Sequence, residues 1–197
     1  MILGITGGVG AGKSTILNIL QNEYNYKVYE ADKIGHLIMK KGTQIYDAFV
    51  KRFGEKIIGS DGEIDRKEFA KIIFADAENL DYVDSLIHPG VLHYILDDIK
   101  ETEENGASLY AGYVIEAALL LEAAYDRVCD KVWYIYVDEN TRRKRLKESR
   151  GYSDEKIDSI MKNQLSDEEF ESRYDYKIDN SFDIDHTRAC IKKTLEF

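Results

Sequence analysis

Residues 2–20 read Ile2-Leu3-Gly4-Ile5-Thr6, then Gly7-Gly8-Val9-Gly10-Ala11-Gly12-Lys13-Ser14-Thr15, then Ile16-Leu17-Asn18-Ile19-Leu20. An apolar strand enters a glycine-rich turn that opens into an amphipathic helix. This is the context in which the pattern Gly-x4-Gly-Lys-Ser/Thr forms a phosphate-binding P-loop. The glycines let successive backbone N–H groups turn inward around phosphate oxygens, Lys13 brings a point charge to the β/γ oxygens, and the Ser14 hydroxyl suits Mg²⁺. The residues expected to hold a nucleoside triphosphate are therefore Gly8, Val9, Gly10, Ala11, Gly12, Lys13, Ser14 and Thr15, with Ser14 as the metal ligand. By average residue usage the bare pattern arises by chance in roughly one chain per hundred of this length, and the flanking strand and helix make accident rarer.

Working outward, 197 residues suffice for one domain with a substantial core and no need of disulfides or metals. Cys129 and Cys190 stand far apart, outside any metal-ligand spacing, and read as reduced thiols. The absence of a basic leader, with the fold starting at Ile2, and of any bilayer-length apolar run leads to the expectation of a soluble cytoplasmic protein. With 37 acidic and 27 basic side chains the formal charge is −10, which argues against nucleic acid or an anionic membrane as partner.

One proline, no low-complexity tract and no internal repeat leave the alternation of elements as the guide to organisation. Strands are expected at 2–6, 27–31, 109–115, 131–137 and 174–178, separated by helical patterns. The implied fold class is α/β: a P-loop NTPase-type parallel sheet flanked by helices. Between the second and third strands, Ile45, Phe49 and Phe53 recur at helical spacing, as do Phe69, Ile72 and Ile73 behind a capping Asp65. Leu92, Ile95, Leu96 and Ile99 form a third pattern after Pro89, which is read as a helix start. A βα crossover needs only about a dozen residues, so 33–105 reads as a helical insertion, suited to a second substrate or to stability alone.

A second insertion, 140–173, reads as a short helical lid with helices at about 141–149, 154–165 and 167–172, the last with a Ser166/Glu169 capping box. The remaining core is about 1–32, 106–139 and 174–197 of a single domain spanning 1–197. The lid opens with Thr141-Arg142-Arg143-Lys144-Arg145-Leu146-Lys147-Glu148-Ser149-Arg150, in which six of ten side chains are basic. Helical spacing groups Arg142 with Arg145, and Arg143 with Lys147 and Arg150. Such a cluster can close over a transferring phosphoryl group and exclude water, or form a solvated basic face.

Asp32 ends the second strand, where it can accept a proton from an attacking hydroxyl, hold a metal-bound water, or cap the helix over 33–39. Glu116 and Glu122 flank 117–121, and either suits the outer shell of a metal or a surface. His88 is read between two helices, as a packing or capping residue or a catalyst.

In order along the chain, these motifs resemble the dephospho-coenzyme A kinase family. Residues 6–14 fit its Thr-Gly-Gly-x-Gly-(Ser/Ala)-Gly-Lys-Ser signature completely. Its Asp-Ala-Asp is similar to Glu30-Ala31-Asp32, its Leu-His-Pro to Ile87-His88-Pro89, and its Pro-Leu-Leu-Phe-Glu to Ala118-Leu119-Leu120-Leu121-Glu122. The resemblance implies transfer of the γ-phosphoryl group of ATP, with Mg²⁺, to the 3′-hydroxyl of dephospho-CoA, the last step of coenzyme A synthesis. It implies Asp32 as general base, Lys13 and Arg145 as phosphate stabilisers, Asn180 near ATP, and His88 and Glu122 on the acceptor side. ATP and dephospho-CoA are then the partners, with no obligate protein partner. The family's first motif acid is Glu30 here, its proline and phenylalanine become Ala118 and Leu121, and a second lid arginine shifts from the position of Ser149 to Arg150.

Three other readings share part of this pattern. Another small P-loop nucleotide or nucleoside kinase would differ in its acceptor pocket. A GTP-dependent switch would use Asp32-Lys33-Ile34-Gly35 as an Asp-x-x-Gly motif, but no Asn-Lys-x-Asp or Thr-Lys-x-Asp guanine-reading motif occurs. A nucleotide-binding module without turnover would bind ATP and phosphorylate nothing.

Overall fold

The computed structural model describes residues 1–105, 109–162, 164 and 173–196. The chain divides into two compact units, Met1–Tyr29 with Ser108–Phe197, and Glu30–Ala107.

In the first unit the strands are β1 (Ile2–Thr6), β2 (Tyr26–Glu30), β3 (Gly112–Glu116), β4 (Lys131–Tyr136) and β5 (Tyr176–Asp179), forming one sheet in the order β2-β3-β1-β4-β5. β1 pairs in parallel with β3, Ile2 opposite Tyr113, and with β4, Leu3 opposite Lys131; β4 pairs in parallel with β5. Chain leaving β1 runs to the β2/β3 side while β4 lies on the other, so the carboxyl end of β1 borders the crevice where open α/β sheets hold ligands. All five expected strands are present. The third starts three residues late because Leu109 is 75% exposed and the ladder to β1 begins beyond it.

Helix α1 (Lys13–Glu23) contributes Ile16, Leu17, Ile19 and Leu20 to a core with Leu3, Ile5, Val114, Trp133, Ile135 and Ile178 of the strands. The last helix of the described chain, Ile184–Leu195, adds Ile191. Each such side chain is worth about 1.5–3 kcal/mol when buried. On the opposite face of β1, a Cβ on Gly4 would lie 2.9 Å from Cys129 Sγ. Burial, followed by the nearby Asp126 and Asp130 carboxylates, pushes the Cys129 thiol up to about 12.

The second unit is helical: α2 (Ala31–Ile38), α3 (Gln44–Phe53), α4 (Arg66–Phe74) and α5 (Ala77–Glu104). Asp65 caps α4 as expected, its Oδ1 accepting from Lys67 N at 2.9 Å and Glu68 N at 3.1 Å. Phe49, Phe53, Phe69, Ile57 and Val83 form the core, with the Phe49 and Phe69 rings 5.1 Å apart.

Two local expectations are corrected. Pro89 does not start a helix; it lies inside the 28-residue α5. Proline removes an N–H and clashes with the preceding turn, but packing decides here: Val83 on one side of it and Val91 and Ile95 on the other are buried. A Cβ on the adjoining Gly90 would stand 2.7 Å from Ile45 Cδ1, so Pro89-Gly90 marks a close helix contact and His88 sits mid-helix. Nor does Asp32 cap: α2 begins at Ala31 and its capping position, Glu30, makes no side-chain capping bond. The helices of the second insertion, numbered next, are α6 (Glu139–Arg150) and α7 (Asp154–Lys162), and the last helix is α8. The helix at 167–172 and its Ser166/Glu169 box lie outside the described residues. No helix among the described residues is long and apolar enough to cross a membrane.

Candidate active site

The phosphate loop connects β1 to α1. Gly7, Gly10 and Gly12 have φ of 148°, 86° and 83°, conformations that side chains with a Cβ resist. At Gly7 space also forbids one, since a Cβ would fall 2.6 Å from the Ile135 carbonyl oxygen. Lys13 Nζ donates to Gly7 O at 2.8 Å and stands 3.5 Å from Glu116 Oε1, a carboxylate at the end of β3. Ser14 is exposed on the first turn of α1. Asn180 is 5% exposed; its Nδ2 donates to Ala11 O at 2.8 Å and its Oδ1 accepts from Thr187 Oγ1 at 2.8 Å.

The basic segment sorts into three groups. Arg142 Nε donates to Val9 O at 2.6 Å, its guanidinium bonds Gln164, and a Cβ on Gly8 would collide with both side chains. Arg145 Nη1 lies 3.6 Å from where a Cβ on Gly12 would stand, and among the described residues its guanidinium forms no ion pair. Arg143 and Lys147 instead bind α6 to α7: Arg143 pairs with Asp158 at 2.5 Å and Lys147 with Asp154 at 2.7 Å. Lys144 and Arg150 face outward, Lys144 4.0 Å from Glu148 and Arg150 over the Tyr152 ring. Asp138 starts α6 by accepting from Thr141 N at 3.0 Å, and the Thr141 hydrogen bonds hold its carboxyl below the usual range.

The helical unit forms an open cleft of about 840 Å³ among Asp32, Lys40, Arg66, Phe74, Asp84 and Ile87 with their neighbours, within the range typical of small-molecule sites. Its wall mixes carboxylates, cations and an apolar strip of Phe69, Ile73 and Phe74. His88 does not line it; its Nε2 is 3.8 Å from the lining Asp84. Glu122 belongs to the first unit, exposed in the turn after β3.

The sequence model of the dephospho-CoA kinase family matches residues 1–186. A dephospho-CoA kinase of Carboxydothermus hydrogenoformans is 36% identical over 195 residues, covering 99% of this chain and 93% of that one. The chain belongs to the dephospho-CoA kinase family. The solved dephospho-CoA kinase of Campylobacter jejuni is 25% identical with a TM-score of 0.70, covering 99% of this chain and 96% of that one. TT1252 from Thermus thermophilus shares the fold, with a TM-score of 0.81 at 24% identity over 100% of this chain and 96% of that one.

For a kinase of this family Mg²⁺ is the expected companion of the nucleotide. The donors fit: the Ser14 hydroxyl is exposed beside the loop and Glu116 offers oxygen near Lys13, both hard ligands. No group of three or more His, Cys, Asp or Glu among the described residues is placed to hold a metal. An ion held here would take its other ligands from phosphate and water, as Mg²⁺ commonly does. Sequence reasoning missed Thr187, Lys40 and Arg66. For Thr187 no local signal exists, whereas Arg66 directly follows the Asp65 cap that the sequence did reveal.

Proposed function

We propose that this chain performs the reaction for which its family is named, ATP-dependent phosphorylation of dephospho-CoA, at the ribose 3′-hydroxyl. The observation that carries the reading is the loop between β1 and α1, with three glycines at positive φ and Lys13 and Arg145 beside it. The helical unit receives the acceptor in the cavity lined by Asp32, where Lys40 and Arg66 suit its phosphates and Phe74 and Ile73 its apolar arm.

In this reading the acceptor oxygen attacks the γ-phosphorus, the bond from that phosphorus to the ADP oxygen breaks, and the hydroxyl proton passes to Asp32. Lys13 leaves Gly7 O and Glu116 for the β/γ oxygens, exchanging one set of charge-assisted bonds for another. Arg145 stabilises charge on the equatorial oxygens, and Asn180 supports the ATP site. The Ser14 hydroxyl, with the Glu116 carboxylate near Lys13, would hold Mg²⁺, which would supply neutralisation of phosphate charge. His88 and Glu122 remain acceptor-side residues in this proposal, His88 through Asp84. The reaction is proposed to run in the cytoplasm, where thiols stay reduced.

A coupled ADP-release assay comparing dephospho-CoA with AMP, adenosine and other nucleotides tests the reading. Dephospho-CoA is expected to be the preferred acceptor, with the new phosphate monoester on its ribose by ³¹P NMR. Preference for a nucleoside or a nucleoside monophosphate overturns it.

A further inference from the structure

We infer that Asn180 and Thr187 are a positioning pair that aims the amides of the phosphate loop from its outer side, with Arg142 as a second support. The inference rests on the reading that this loop binds phosphate, and assigns how its donors are oriented.

The peptide bonds of the loop are trans, so the carbonyl of one residue and the N–H of the next point in opposite directions. Asn180 Nδ2 holds the Ala11 carbonyl at 2.8 Å, which turns the Gly12 N–H to the other side of the loop. Arg142 Nε holds the Val9 carbonyl at 2.6 Å, which does the same for the Gly10 N–H. The Val9 and Ala11 carbonyls are thus held by side chains, and the Gly10 and Gly12 N–H groups face away from those contacts. Among the described residues neither of those N–H groups is spent on another backbone carbonyl.

The Asn180 amide can face only one way. Its backbone N–H donates to Tyr136 O at 2.8 Å, anchoring the residue to the end of β4. Thr187, 0% exposed on α8, donates to Oδ1 at 2.8 Å. Flipping the amide would put oxygen against the Ala11 carbonyl oxygen, losing that bond in a buried setting where an unmet polar group is costly. The Thr187 hydroxyl, also 3.2 Å from the Asp183 carbonyl, can either donate to Oδ1 or accept from NH₂, so the Ala11 carbonyl decides the orientation. A Cβ on Gly12 would overlap Asn180 Nδ2, so the glycine and the clamp require each other. Asn180 therefore serves the nucleotide through the loop, and Thr187 serves it through Asn180.

The test uses the full-length protein with Asn180→Asp, Thr187→Val and Thr187→Ser, each checked for folding by circular dichroism. Titration calorimetry with Mg-ADP and with pyrophosphate is combined with steady-state kinetics. Asn180→Asp, which sets oxygen against oxygen, should weaken both ligands about tenfold or more, and Thr187→Val about threefold. KM for ATP should rise while KM for dephospho-CoA stays within twofold, and Thr187→Ser should restore wild-type binding. On adding pyrophosphate, the Gly10 and Gly12 amide resonances should shift in the wild type and shift less in Thr187→Val. Unchanged ligand affinity in Thr187→Val, or equal impairment in Thr187→Ser, overturns the pair's role; this comparison decides even if Asn180→Asp fails to fold. A wild type that binds no pyrophosphate overturns both this role and the reading beneath it. A wild type that binds pyrophosphate with the expected variant losses, yet does not phosphorylate dephospho-CoA, supports the pair and removes only the acceptor assignment.

Discussion

Around the phosphate loop, polar groups are tied to one another: Asn180 is 5% exposed and spends its amide on Ala11 and Thr187, and Arg142 is bonded to Val9. Along the cavity of the helical unit the reverse holds. Asp32, Lys40 and Arg66 are exposed there, and Phe74 is 74% exposed. In the proposed reading the loop would gain affinity from donors fixed before a ligand arrives, whereas the cavity would have to order long side chains on binding, at about 0.5–1.5 kcal/mol each. Nucleotide binding and acceptor choice should therefore respond to different substitutions.

The largest effect expected is at Asp32. Asp32→Asn keeps the shape and removes the proton acceptor, so kcat should fall by about 10²-fold or more with ATP affinity little changed. Steady-state kinetics showing near-wild-type turnover would take Asp32 out of the mechanism. Next comes Arg145→Ala, in which kcat should drop about tenfold or more while KM for ATP rises less, because the charge it meets develops during transfer. A pure KM effect would make Arg145 a ground-state contact and blur the contrast between the regions. Smallest is Phe74→Ala, expected to raise KM for dephospho-CoA about fivefold through about 1 kcal/mol of lost apolar contact, with KM for ATP unaltered. Its melting temperature should barely move, since the ring is mostly exposed in the unliganded protein. An equal change in both KM values would break the separation.

The contrast also explains what was legible in the sequence. The loop is contiguous, so the glycine, lysine and serine chemistry of residues 7–14 could be read directly, and strand alternation around it yielded the sheet. The Asp65 cap was equally local. Contacts that aim the loop were not legible, because Asn180 and Ala11 are 169 positions apart and Arg142 and Val9 are 133 apart. The basic segment could be recognised as a cluster but not sorted, since Asp154 and Asp158 claim Arg143 and Lys147 only once α6 and α7 pack. Pro89 misled because its local preference for a first turn was overruled by burial on both sides of it. The cavity draws on residues from Asp32 to Ile87, in helices whose facing sides no short pattern encodes.

The protected thiol behind Gly4 has a practical use. With burial pushing the Cys129 thiol up, a maleimide fluorophore should react more slowly there than at Cys190, which is itself half-buried against the core and 3.4 Å from His186 Nε2. Cys190 lies one helical turn beyond Thr187 on α8, so an unmutated chain already carries an attachment point for a probe that reports on the support behind the loop.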